Sequence, residues 1–272
     1  MGKLVVLPTV LLSLSAAVAD PVSSEGYDLK DLTDTIGSQH SISASLSPYF
    51  GAFDNDVTSG GVRLEDYTWR AEFRLSEDVV AALGEETLTD VPVLVRLSAD
   101  IPNFSLASFS DSARRDLLFR DERGTVLAHE IDSVDSEGGL LVWVKVPELT
   151  ASTVLTCCYG GPVNPQALNA ADTWSGYVGV WHLNAHDASG TTPDATGHGL
   201  DATGADFTGI AGPFGSPAAQ TTKAMTAPDF EEVHQVGGTF SCSLWFRKPT
   251  QAGEYTTFVS KKTGHAWNAA TG

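Results

Sequence analysis

The densest pattern in the chain runs from Asp116 to Gly161. Three apolar, β-branched runs (Leu117 to Phe119, Leu140 to Val146, Thr153 to Tyr159) are divided by two turn-forming clusters, Asp121-Glu122-Arg123-Gly124 and Ser136-Glu137-Gly138-Gly139. In the central run Leu140, Val142, Val144 and Val146 fall on one face, and Leu141, Trp143 and Lys145 fall on the other. That period of two is the pattern of a strand, and the stretch reads as a β-meander. Upstream, Trp69, Ala71, Phe73 and Leu75 alternate with Arg70, Glu72 and Arg74, which predicts a half-buried strand, and Pro92 to Leu97 gives another. Between them SEDVVAALG (76–84) carries a short-helix signal, with Ser76 as N-cap and Gly84 at the C-terminal end. Phe104, Leu106 and Phe109 are expected to anchor the polar connection 99–112.

Downstream, Tyr177 to Leu183 reads as a strand with Val178, Val180 and His182 on one side and Tyr177, Gly179, Trp181 and Leu183 on the other. Phe240 to Pro249 and Tyr255 to Lys262 supply two more strands. Short strands at regular spacing with almost no helix predict an all-β fold, an antiparallel β-sandwich. The turn-rich segment PVNPQALNAADT (162–173) places a domain boundary near 165–175.

The same residues carry a resemblance. Trp69, the PVLVRL strand, DLLFRDERGTVLAHEID, LLVWVKVPEL and the closing Tyr159-Gly160-Gly161 resemble, in that order, the domain of unknown function 2341 (DUF2341), over residues 66–165. That family's usual closing tripeptide is Tyr-Gly-Asn, and Gly161 departs from it. GYVGVWHLN (176–184) and DATGHGLDATG (194–204) resemble the opening of a concanavalin A-like, laminin-G-like (LamG) jelly roll. The resemblance implies a β-sandwich at 66–165, a linker at 166–176 and a partial jelly roll at 177–272. Residues 177–272 are fewer than such a jelly roll uses, so the chain is expected to be a fragment of a longer protein. The resemblance also implies a link, in some bacteria, to proton-channel components of the ExbB/TolQ type, which would make this the periplasmic part of an envelope transport protein.

The first residues read as an address. Lys3 gives a positive n-region, Leu4 to Ala17 an apolar h-region and Ala17-Val18-Ala19 a cleavage box, so residues 1–19 are expected to be a removed signal peptide. The apolar run is too short for a spanning helix and is interrupted by Pro8, so no membrane insertion is expected beyond the signal peptide. Export to a bacterial periplasm, outer surface or exterior is the implied context. Residues 20–65, rich in Ser, Gly and Asp, read as an extended leader.

Charge narrows the partners. With 16 Lys+Arg against 34 Asp+Glu the formal charge is −18, which disfavours nucleic acid and anionic lipid surfaces. Of the three cysteines, neighbours Cys157 and Cys158 point to opposite faces of a strand, and buried unpaired thiols are the simplest state. A bridge from Cys242 to one of them is the other reading.

Candidate chemistry is thin. Glu122, Glu130, Asp132, Asp135 and Glu137 supply paired carboxylates of the kind a glycosidase uses, yet they fall on or beside expected turns, where solvated carboxylates are ordinary. His129, flanked by Glu130, is expected to lie in a strand, at an edge or facing solvent. His182 and His186 lack the helical context that would bring both to zinc. Asp54-Asn55-Asp56 lacks the remainder of an EF-hand and reads as a turn. Asp194 and Asp201 bracket Gly197 and Gly199 and could hold calcium, although bonding their own turn backbone is simpler. The glutamate-rich catalytic strand of jelly-roll glucanases is absent from 177–272. No catalytic, cofactor-binding or metal residue is assigned. The expected function is a non-catalytic binding protein for a glycan or a cell-surface protein, with a carbohydrate-active hydrolase fragment as the alternative.

Overall fold

The computed structural model describes Lys3–Val6, Arg63 and residues 66–101, 104–164, 168–184, 190–204, 208–212, 216–220, 224–229 and 241–244. The expectations placed on residues 7–62, on 165–167, on His186 and Asp187 and on Tyr255 to Lys262 lie outside the described residues. In chain order the elements are β1 (Lys3–Val6), β2 (Trp69–Arg74), helix α1 (Glu77–Leu83), β3 (Leu88–Leu97), β4 (Leu118–Arg120), β5 (Val126–Leu127), β6 (His129–Val134), β7 (Leu140–Leu149), β8 (Val154–Tyr159), the single-turn helix α2 (Ala170–Thr173), β9 (Gly179–Trp181), β10 (Thr208–Ala211), β11 (Pro217–Gln220) and β12 (Ser241–Leu244).

The fold is all-β, with two antiparallel sheets, β2-β8-β4-β5 and β3-β7-β6, packed as a sandwich. The core between them takes alternate residues from each strand: Ala71 and Phe73 from β2, Val93, Val95 and Leu97 from β3, Leu140, Val142, Val144 and Val146 from β7, Leu155 and Cys157 from β8. Phe104 and Phe109 close one end of it against Tyr159, at ring-centroid distances of 5.9 and 5.2 Å.

The three apolar runs do not form one meander. Both hairpins turn where the glycine clusters stand, with Gly124 at φ +80° and Gly138 at φ +82°. However, β4 pairs with β8 and not with β7, so the chain leaves the first sheet after β5, builds β6 and β7 in the second, and returns. A single sheet would leave one apolar face in water, whereas two sheets bury their inner faces against each other. The β6–β7 turn is fixed by Asp135, whose Oδ1 accepts from the Glu137 and Gly139 amides, both at 2.8 Å, while Arg96 Nε lies 2.5 Å from Oδ2.

His129, expected at an edge, is instead fully buried. It shares the inward face of β6 with Ile131 and packs edge-on to Phe119 at 5.4 Å. Burial holds its imidazole neutral, with the pKa pushed down to about 4.

Cys157 points into the main core and Cys158 against Tyr67 and Leu118 on the other side of the sheet, both buried and unbonded. Burial raises the Cys157 thiol well above its usual range and Cys158 to about 11, which leaves both protonated and unreactive. Cys242 is also unbonded and is exposed.

At the end of β8 the chain turns through Gly160 at φ +72° and passes close to Tyr67, whose hydroxyl donates to the Pro162 carbonyl at 3.1 Å. A Cβ on Gly161 would stand 2.7 Å from the Tyr67 ring and 2.8 Å from the Asp66 carbonyl, so glycine at this third position is a packing requirement.

β1 pairs in parallel with β9 and β12. Its residues lie within the segment read as a removed signal peptide, so a mature chain has either the cleavage or this strand. The 69–159 sandwich uses no residue of β1. Among the described residues no helix is long and apolar enough to cross a membrane.

Two outcomes are expected. Gly161→Ala lowers the urea midpoint by an amount equivalent to about 1–3 kcal/mol, as overpacking does. Intact-mass analysis of the exported protein gives an N-terminus at Asp20; a mature chain that begins at Met1 would retain β1.

Candidate functional site

The outer face of the β3-β7-β6 sheet carries a large apolar residue at its centre. Trp143 on β7 stands opposite Leu94 on β3 and Glu130 on β6, and Trp143 is buried. A Trp at mid-sheet must be covered, and residues from 168–184 and 190–195 cover it. Leu168 bridges to His129 in parallel, and the Asn169 amide donates to the His129 carbonyl at 2.8 Å, which ties the incoming chain to β6. Asn169 then caps α2 by accepting from the Asp172 amide at 3.1 Å. This turn delivers Trp174 onto Trp143, with ring centroids 5.2 Å apart, and Val180, Tyr177 and Ala195 complete the cluster.

Alternation along β9 carries the next residue to the same surface. Val180 and His182 face the sandwich, while Trp181 turns away, packs on Ala202 and donates its Nε1–H to the Leu200 carbonyl at 2.8 Å. His182 lands between two carboxylates of β6. Its Nε2 is 2.9 Å from Glu130 Oε2, and its Nδ1 is 3.0 Å from Asp132 Oδ1, at ion-pair distance but off the axis of a hydrogen bond. Trp174 Nε1–H also donates to Glu130 Oε2. Ser133 Oγ donates to Asp132 Oδ2 at 2.6 Å, and Asn184 Nδ2 donates to the Asp132 backbone carbonyl at 2.9 Å.

Alternation along β6 places Asp132 on the same outer face as Glu130. The register shifts between Ile131 and Ser133, so Asp132 is the extra residue of a β-bulge, with no partner opposite it on β7. Burial alone would drive the imidazole neutral, but the Asp132 and Glu130 carboxylates on either side of the ring outweigh it and raise His182 to about 10. Burial pushes the Asp132 carboxyl up, yet His182 and Ser133 hold it below the usual carboxylate range. The site is thus a charged imidazole between acceptors, with the Trp174 ring 5.6 Å away and the Trp143 ring 6.4 Å away and nearly parallel.

Beside this cluster lies a cavity of about 230 Å³, lined by Glu130, Asp132, His182, Leu183, Asn184, Thr192 and Pro193 among others. Leu183 adopts φ +57°, rare for a leucine, and this left-handed residue starts the turn that brings Asn184 to β6.

The acidic residues read together from the sequence are in three places. Glu122 accepts from the Val154 amide at 2.6 Å, and Asp135 and Glu137 both pair with Arg96. Glu130 and Asp132 meet at His182, on a strand and largely away from solvent instead of on a turn. The cause is the cover supplied by residues 170–184 and 190–195. Asp194 spends both oxygens on its surroundings, Oδ1 accepting from the Val180 and Thr196 amides at 3.0 and 3.1 Å and Oδ2 from Thr196 Oγ1 at 2.6 Å. Asp201 Oδ1 accepts from the Asp194 amide at 2.9 Å. Among the described residues no group of three or more His, Cys, Asp or Glu side chains is set to hold a metal ion.

Sequence reasoning missed the pairing of His182 with β6. Two signals pointed to it: a large apolar residue, Trp143, on the second face of a strand, and the placement of His182 on the same side as Val180. Comparison with protein-family models, with curated proteins and with solved structures finds no match for the chain.

Removing the imidazole leaves two buried carboxylates without a cation. His182→Leu is therefore expected to cost about 3–5 kcal/mol in urea unfolding, and adding Glu130→Gln and Asp132→Asn to recover most of it. The pH dependence has a definite sign. His182, raised in the folded state, contributes stability that is full below about pH 6.5 and lost as the pH climbs towards 10. Lowering of the buried His129 removes stability as the pH falls from about 6.5 to 4, because only the unfolded chain takes up that proton. Stability should peak near pH 6.5, with each limb approaching about 1.4 kcal/mol per pH unit. Relative to wild type, His182→Leu flattens the alkaline limb and His129→Leu the acid limb.

Proposed function

We propose that this is an exported, secreted or cell-envelope β-sandwich protein that binds its ligand without transforming it, and that the ligand is a glycan or a cell-surface protein bearing one. The observation that carries the reading is the cavity at β6. Carboxylates, a side-chain amide and a hydroxyl converge there beside the apolar faces of Leu183 and Pro193, the mixture of polar and apolar groups that hydroxyl-rich ligands require.

The same geometry argues against a glycosidase. Such an enzyme needs one carboxyl that carries a proton at working pH and one that does not. Asp132 is held ionised by His182, and Glu130 already accepts from two N–H donors at one oxygen. Neither is arranged as a proton donor. The resemblance to DUF2341 followed by a LamG-like module, and the signal-peptide pattern of residues 1–19, support a binding role outside the cytoplasm.

The test is a glycan array probed with the purified protein, with bound oligosaccharides recovered for mass spectrometry. Saturable binding with the oligosaccharides returned intact is expected. Recovery of shortened products would replace this reading with the hydrolase.

A further inference from the structure

The other sheet of the sandwich also has an outer face, and its centre is closed to water. Alternation turns Arg70 and Arg74 outward from β2, Cys158 from β8, and Leu118 and Arg120 from β4. Leu118 is 0% and Cys158 1% exposed, although a two-layer sandwich leaves this side to solvent. The opposite sheet shows what such burial requires, since Trp143 on its outer face is buried under residues from 168–184 and 190–195. By the same reasoning the first sheet has a cover, and Tyr67 with half-buried Val126 is the described apolar part of it.

Arginines ring this apolar centre. Burial raises the Cys158 thiol, and Arg70 opposite it and Arg120 on the next strand draw it back down, which places both guanidiniums near it. The acids beside them are engaged, Glu72 with Arg70 at 3.2 Å and Glu122 with the Val154 amide at 2.6 Å. Arg74 is exposed and has no acidic partner among the described residues. Residues 20–62 complement this face. Their one basic residue is Lys30, against Asp28, Asp31, Asp34, Asp54 and Asp56 among others, and in YFGAFDND (49–56) three aromatic rings precede the last two acids. The segment leads into Tyr67, already seated on Leu118 and Cys158. From Asp56 to Tyr67 an extended chain spans up to about 35 Å, and four strands cover only about 15 Å, so the reach is ample.

We infer that the acidic leader is a strap: Tyr49 to Asp56 crosses the outer face of the first sheet, with its rings over Leu118 and Cys158 and its two aspartates toward Arg74 and Arg120, and closes that face to ligands.

Cys158 reports on the strap because it lies beneath it, and Cys157, in the core between the sheets, is the internal control. The measurement is peptide-resolved alkylation of both thiols in the purified, folded protein. Phe50→Ser with Phe53→Ser is expected to raise the Cys158 rate at least about tenfold, as the loss of buried rings implies, and to leave Cys157 unchanged. Asp54→Lys with Asp56→Lys should raise it about three- to tenfold at low salt, the scale of exposed ion pairs, and Arg74→Glu should act in the same direction. Combining the leader lysines with Arg74→Glu should return the rate towards wild type, since the charges are then exchanged. A Cys158 rate indifferent to the leader substitutions overturns the inference. An equal rise at Cys157 and Cys158 also overturns it, because it marks opening of the whole sandwich. So does a concentration-dependent dimer whose dissociation exposes Cys158, which would make a second copy the cover.

Discussion

A carboxylate taken out of water must find a positive partner or give up its charge, and the outer face of β6 buries two of them. His182 meets that requirement from 52 residues away in the chain, and the rest of the arrangement is a set of conditions for its being there. Alternation along β6 puts Asp132 on the same face as Glu130, at the bulge where no β7 residue stands opposite it. Trp174 gives Glu130 a second donor, and the left-handed Leu183 lets Asn184 follow and bond the Asp132 carbonyl.

This constraint explains why residues 168–184 and 190–195 lie where they do. Apolar cover of Trp143 favours any greasy segment, but the carboxylates select one that carries a cation in register two residues after an inward valine. The Trp143–Trp174 contact supplies an apolar anchor, and the ion cluster supplies the register. The cavity lies at the seam where His182 to Asn184 and Thr192 to Ala195 meet β6.

Much of the sandwich was legible in the sequence. Period-two alternation located β2, β3, β7, β8 and β9 to within a few residues, because strand faces are set locally by burial. Pairing was not legible: a meander and a two-sheet crossover use the same strands and turns, and only long-range packing chooses between them. β6 was only partly legible: His129 reads as lying in a strand, but HEIDSV mixes acids with apolar residues, and its carboxylates resemble turn residues until the cover over them is known. His129 illustrates the same gap, since its alternation with Ile131 points inward but its polarity argues for solvent. The resemblance to DUF2341 and LamG proposes a family context in which the closing glycine corner is informative. Gly161 is set by the approach of Tyr67, a local packing fact that holds in any family.

The central claim is that His182 is a buried imidazolium between two β6 side chains. The direct measurement is the ¹⁵N chemical shifts of its ring nitrogens in labelled protein at pH 8. Both nitrogens protonated at that pH, with correlations to Glu130 and Asp132, is the predicted result. A neutral ring with one bare nitrogen at pH 8 would contradict it, and with it the account of what holds residues 168–195 to the sandwich.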